Sequence, residues 1–179
     1  YDYPWEEMYR IIFYANSTID GIMDAKVDVT DDSREQLLAE AYCLRAYTHF
    51  ELLNLYAKQY VKETASSDKG VPVVLVVDID QAFPRATVEE VYTQILKDIE
   101  EAGKYMQIDE QPASTRYRFS KKSLKSLEAR VRLYRGEWEL AQAVAEDILP
   151  QCTLIDMVAD NEAKPWRYDS QEAILSLEQ

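Results

Sequence analysis

Leu37-Leu38-Ala39-Glu40-Ala41-Tyr42-Cys43-Leu44-Arg45-Ala46-Tyr47-Thr48-His49-Phe50-Glu51-Leu52-Leu53-Asn54-Leu55-Tyr56 is the stretch that decides the fold class. At helical spacing it carries two apolar stripes, Leu37/Ala41/Leu44/Leu52/Leu55 and Leu38/Tyr42/Leu53/Tyr56, while Ala39, Cys43 and Ala46 keep the backbone approachable. A helix apolar on most sides is packed by neighbours on two faces, so this one is predicted to be central. Its start has two candidates: caps among Thr30 to Asp32, or Ser33, which has capping-box spacing with Gln36.

Toward the N-terminus, Pro4 fits a first helical position and Glu6 and Glu7 fall in the first turn, where the helix dipole favours acids. Trp5, Met8, Ile12, Ala15, Ile19 and Ile22 then give residues 4–25 one apolar face. Beyond Tyr60 the pattern breaks into a long loop, 61–86. In it Gly70-Val71-Pro72 leads to a β-branched run, 73–77, too short for a helix and read as an extended segment. So long a connection inside a domain is often functional.

Thr87-Val88-Glu89-Glu90 is a capping box, and Val88, Val91, Ile95, Ile99, Ala102 and Met106 carry a third helix over 88–106. Ser120 caps a fourth, with Leu124, Leu127, Val131 and Tyr134 inward and Gly136 ending it. Trp138, Ala141, Ala145 and Ile148 carry a fifth, closed by Pro150. Ala173-Ile174-Leu175-Ser176-Leu177 is predicted as a short terminal strand whose partner is missing. With only 4 Gly and 6 Pro in 179 residues, and 47% apolar residues, the expected fold is all-α: one domain, 1–179, of antiparallel helical hairpins with about five main helices.

The last two helices carry a repeat signature. Ala129, Gly136, Trp138 and Ala141 stand at the spacings of the small residue, turn glycine, aromatic and alanine of a tetratricopeptide repeat, with Arg132 where a tyrosine is usual and Pro150 early. Small residues at 129 and 141 let two helices approach, and an aromatic at 138 fills the gap beside the turn.

The wider order of motifs resembles the SusD/RagB family of outer-membrane nutrient-binding lipoproteins. Trp5-x-x-x-Tyr9 with Ala15-Asn16-x-x-Ile19-Asp20 is similar to that family's first helix, and Glu40-Ala41-Tyr42-Cys43-Leu44-Arg45-Ala46-Tyr47-x-x-Phe50-x-Leu52 to its second. Gly70-Val71-Pro72 resembles its loop and Arg85-Ala86-Thr87-x-x-Glu90-Val91-Tyr92-x-x-Ile95 its third helix. Arg118-x-Ser120-Lys121 and Ala129-Arg130-Val131-x-Leu133-Tyr134-x-Gly136-x-Trp138 resemble the last hairpin, and Gln171-Glu172-Ala173-Ile174-Leu175 the strand after it. Ser123 and Ser126 depart from the family's small apolar residues. The resemblance implies a surface-exposed, lipid-anchored protein of the bacterial outer membrane that captures an oligosaccharide or polysaccharide and hands it to a SusC-like TonB-dependent transporter. The present chain would be its N-terminal, tetratricopeptide-like part, a scaffold and docking surface cut from a larger protein, without the lipid anchor. The alternative, supported by the repeat hairpin alone, is a stand-alone scaffold for protein–protein interaction.

Composition and motifs narrow the chemistry. A net charge of -13 repels a phosphate backbone, so nucleic acid is not an expected partner. Cys43 and Cys152 lack CxxC spacing, and the single His49 cannot complete a zinc site. Cys43 is read as a buried, inert thiol. No run of 18 apolar residues is present. The acidic pairs Glu6/Glu7, Glu89/Glu90 and Glu100/Glu101 are adjacent and diverge by about 100° around a helix, so they cannot flank one bond as acid and base. No nucleophile motif, zincin helix or phosphate loop occurs. The reading is a protein that is not an enzyme and needs no cofactor. Asp24, Asp28, Asp31 and Asp32 lack the spacing of a calcium loop. Asp78 and Asp80, alternating on an extended segment, are the candidates for a structural calcium. Asn16-Ser17-Thr18 is a glycosylation sequon, discounted because it lies mid-helix. Among 13 Tyr and 3 Trp, residues such as Trp5, Tyr42, Phe50, Tyr92 and Trp138 sit at core periodicity and are read as packing residues. The aromatics in loops are Tyr60, Phe83, Tyr117, Trp166 and Tyr168. Of these Tyr60, Trp166 and Tyr168 are the candidate stacking platforms for a sugar.

Overall fold

A computed structural model of the chain describes residues 3–26, 33–78, 80–159, 164–165, 167 and 169–177. Five α-helices are found among them: α1 Tyr3–Gly21, α2 Arg34–Tyr56, α3 Val88–Tyr105, α4 Lys121–Tyr134 and α5 Trp138–Ile148. Short 3-10 turns stand at Ile22–Asp24, Ala113–Thr115 and Leu149–Gln151. Helix α2 lies between α1 and α3, α4 follows against α3, and α5 folds back on α4. The result is a stack of antiparallel helical hairpins of the tetratricopeptide type.

The helix starts are set by side-chain caps. Ser33 accepts the Gln36 N–H at the head of α2, so of the two candidates the capping-box serine does the capping; residues 27–32 lie outside the described residues. Thr87 and Glu90 exchange reciprocal bonds at α3, and Ser120 and Ser123 do the same at α4. Ser123 thus performs the N3 task usually given to Glu. Between α4 and α5 the chain reverses at Gly136, whose φ of +79° is costly for any residue with a Cβ.

The core runs along the small face of α2. Ala39, Cys43, Ala46 and Phe50 are fully buried there, against Ile12 of α1, Val91, Ile95 and Ala102 of α3, and Leu127 and Val131 of α4. Cys43 is a free, buried thiol, and loss of solvent pushes its pKa well up. The larger residues of the two predicted stripes lie to either side: Leu38, Leu52 and Leu53 are buried, Leu44 is half-buried and Leu55 is exposed.

Two expectations are corrected and one is narrowed. The run 73–77, read as an extended segment, is not part of the ladder: the strands are Lys69–Pro72 (β1) and Arg85–Thr87 (β2), paired antiparallel with Lys69 opposite Thr87 and Pro72 opposite Arg85. The run 73–77 makes no ladder because side chains of α1 and α2 take up its backbone groups. The terminal segment 173–177 is not a strand either. No described strand lies beside it, and one backbone bond, from Ser176 N–H to the Arg116 carbonyl at 3.1 Å, ties it to the turn that leads into α4. Trp138 is not a core residue: its ring lies beside the Gly136 turn but is 62% exposed. Among the described residues α5 packs on α4 and on no other α-helix; it buries Ala141 fully and Val144 and Ile148 in part, while Trp138, Leu140 and Ala145 stay exposed. No helix among the described residues is long and apolar enough to cross a membrane.

Candidate functional site

The loop between α2 and α3 is held from inside by a polar cluster in an otherwise apolar stack. Arg45, on α2, faces Asp98, on α3, through two parallel bonds, Nε to Oδ2 at 2.8 Å and Nη2 to Oδ1 at 2.7 Å. Both side chains are almost fully buried. The third arm of the guanidinium, Nη1, donates to Asn16 Oδ1 at 2.8 Å, and Gln94 Nε2 donates a further bond to Asp98 Oδ1 at 2.8 Å. A fork facing a carboxylate is the geometry in which two buried charges best satisfy one another.

Asn16 passes this order on to the loop. Its Nδ2 donates to the carbonyls of Val74 at 3.1 Å and Val76 at 3.4 Å. Because Asn16 is fully buried, its side-chain amide is not accessible to a glycosylating enzyme, and the sequon is a structural residue's coincidence. His49, one turn beyond Arg45, is the second peg. The Val74 N–H donates to Nε2 at 3.4 Å, so Nε2 is the bare nitrogen, and Nδ1 carries the proton and donates to the Arg45 carbonyl at 3.0 Å. Burial, with Arg45 nearby as a lesser cause, pulls its pKa down to about 4, and the ring is neutral. Tyr9 adds a third peg, its hydroxyl donating to the Pro72 carbonyl at 2.9 Å. From these pegs residues 76–78 and 80–84 run out to the surface.

The sequence candidates fall in different places. Tyr60 is half-buried: its hydroxyl donates to Glu89 Oε2 at 2.6 Å, its ring meets Tyr92 edge-on at 5.2 Å, and Arg135 lies over its face at 5.5 Å. The hydroxyl and one face are thus engaged by α3 and the α4–α5 turn. Trp166 and Tyr168 lie outside the described residues. Asp78 is exposed and its Oδ1 accepts the N–H groups of Asp80 at 2.9 Å and Gln81 at 3.2 Å, which makes it a turn cap. Among the described residues no three His, Cys, Asp or Glu gather as a metal group.

Sequence reading missed the cluster of Asn16, Arg45, His49 and Asp98. The signal was present: Arg45 and His49 interrupt a helix apolar on most sides, and Asn16 adjoins the apolar position Ala15. A polar residue on a buried face demands a partner, but the partners lie on other helices at separations that no local pattern encodes.

Stacked helical hairpins with a long loop pinned across the first three helices define a class: a tetratricopeptide-like scaffold that presents a loop. Comparison with known proteins narrows it. A SusD-like family model, described as starch-binding associating with outer membrane, matches residues 1–133. The chain belongs to this family. A SusD-like protein of Formosa agariphila is 32% identical over 149 residues, 81% of this chain and 25% of that protein. Among solved structures, a SusD-like carbohydrate binding protein from Bacteroides vulgatus superposes with a TM-score of 0.79 at 20% identity, covering 96% of this chain and 36% of its own. A laminarin-binding SusD-like protein superposes at 0.69 with 24% identity, covering 89% and 35%. The chain therefore spans about a quarter of the curated relative and about a third of these structures.

Proposed function

We propose that the chain is part of a non-catalytic glycan-binding lipoprotein of a bacterial outer-membrane uptake system, its helical stack serving as scaffold and as the surface that docks on a SusC-like TonB-dependent transporter. The observation that carries this reading is the family match over residues 1–133, whose description joins starch binding to the outer membrane. The laminarin-binding neighbour supports a saccharide ligand for this fold. The chemistry agrees: the buried Asp98 receives three bonds and His49 is engaged with backbone groups through both nitrogens, so neither is poised to move a proton onto a substrate. A lipid anchor on another part of the protein would hold it at the cell surface.

Incubating the protein with starch, laminarin and related polysaccharides, followed by affinity electrophoresis and product chromatography, tests the reading. Retardation without release of oligosaccharides is expected. Release of shortened sugars would overturn the non-catalytic assignment. A pull-down with the transporter, reduced when residues on the outer face of the stack are replaced, tests the docking role.

A further inference from the structure

A groove of about 450 Å³ opens between α1, α2 and the segment leading into α4, away from the pinned loop. Its floor is apolar, with Ile22, Ala41 and Leu44 among its residues, and two tyrosines line it, Tyr14 from α1 and Tyr117 from the turn after Ala113–Thr115. The Tyr14 and Tyr117 side chains are 61% and 53% exposed. Neither hydroxyl bonds to a protein group among the described residues, whereas Tyr9 and Tyr60 both do.

Polar capacity sits in the same groove. Glu40 is held by Arg118 through Nε to Oε2 at 3.1 Å and Nη2 to Oε1 at 2.8 Å, and Gln36 Nε2 donates to Oε1 at 2.8 Å. An ionised carboxylate accepts about four bonds, so Oε2 retains acceptor capacity. The Glu40 side chain is 15% exposed, enough for a ligand hydroxyl to reach it.

The occupant must suit both halves. A wholly apolar ligand would strip water from the carboxylate and the phenols without replacing their bonds, which is costly. An anion would meet Glu40 on a chain of net charge -13. A neutral sugar fits both: its C–H face lies on a tyrosine ring, and its hydroxyls donate to the carboxylate and exchange bonds with the phenols. We propose that the groove between Tyr14 and Tyr117 is a saccharide subsite, with the two rings as stacking platforms and Glu40 as hydroxyl acceptor. The proposal rests on the glycan-binding reading above and adds the place of binding.

The test is calorimetric titration of the protein with maltodextrin, laminarin, xylan and mannan oligosaccharides. Tyr14→Ala and Tyr117→Ala are each expected to weaken binding about tenfold, equivalent to about 1.4 kcal/mol, with thermal midpoints unchanged because both rings are exposed. Tyr14→Phe, which keeps the ring, should stay close to the parent. Unchanged affinity in both alanine variants, with loss instead on replacing Tyr60, Trp166 or Tyr168, would overturn this subsite and leave the glycan-binding reading standing. No affinity of the parent protein for any of the four sugars would overturn both.

Discussion

At the residue scale, Arg45 carries the largest electrostatic commitment in the chain. Its three contacts join α1, α2 and α3, and its charge is sealed with that of Asp98. A buried pair of this kind adds little net stability, yet removing one partner leaves the other unpaired, at a cost of about 3–5 kcal/mol. Arg45→Met should therefore lower the unfolding free energy read from urea denaturation by that amount, and Arg45→Met combined with Asp98→Leu should recover much of it. Equal losses in the single and double variants would show that the charges are not coupled. His49 adds a pH dependence. Its folded pKa, about 4, lies below the unfolded value near 6.5, so the unfolded state binds more protons between the two. Stability is full above pH 6.5 and falls as the pH drops toward 4, by roughly 2–3 kcal/mol at pH 4.5. Denaturation curves at pH 7.0 and 4.5 measure it; His49→Gln should flatten the difference. The lowered pKa values of Asp68, held by Lys58 and Thr64, and of the exposed Glu90 act in the same direction but at lower pH, below their ordinary carboxylate range.

At the element scale, α2 and the β1–β2 pair hold the stack and the loop in register. Phe50 is fully buried and meets Tyr92 and Tyr134 edge-on at 6.4 and 5.2 Å, so Phe50→Ala is expected to cost about 3–5 kcal/mol, while Trp138→Ala should stay within about 0.5 kcal/mol. Thermal or chemical denaturation separates the two. Gly70 is required by closeness: a Cβ there would lie 2.9 Å from Val91 Cγ2 and 3.0 Å from the Thr87 carbonyl oxygen. Gly70→Ala should thus cost about 1–3 kcal/mol and loosen the β1–β2 pairing, visible as faster amide exchange at Val88, whose N–H donates to the Asp68 carbonyl. The helices were legible in the sequence because their apolar period and caps are local; Thr87/Glu90 and Ser120 stand where the pattern puts them. Trp138 and the segment 173–177 were misread because burial depends on what else packs there, which spacing does not encode. The loop's course was illegible for the same reason, since its supports, Asn16 and His49, lie 58 and 25 residues from Val74. Of the candidate sugar platforms, the sequence marked Tyr60 by its place in a loop. Tyr14 was hidden, because a helical aromatic is usually a packing residue.

At the scale of the whole molecule, exposed apolar side chains stand on an acidic helical stack. Helix α5 and the 3-10 turn after it leave Trp138, Leu140 and Leu149 exposed, single apolar side chains on a strongly acidic chain. Glycan binding by neutral hydroxyls and rings depends weakly on salt, whereas binding of a charged ligand to so acidic a chain would depend strongly on it. Affinity for a neutral oligosaccharide should therefore be nearly the same in dilute buffer and in 1 M salt, measured by titration calorimetry. A steep salt dependence would point to an ionic ligand instead.

The manner in which residues 73–77 are hung has an evolutionary consequence. Asn16 grips two carbonyls and His49 one amide, all backbone groups, while Val73 and Val74 pack on the core beneath them. Beyond these anchors the path depends less on which residues follow, and Val76 and Val77 are already 46% and 42% exposed. Such a hinge-point lets the outer loop change in sequence or length while the helices that anchor it stay untouched.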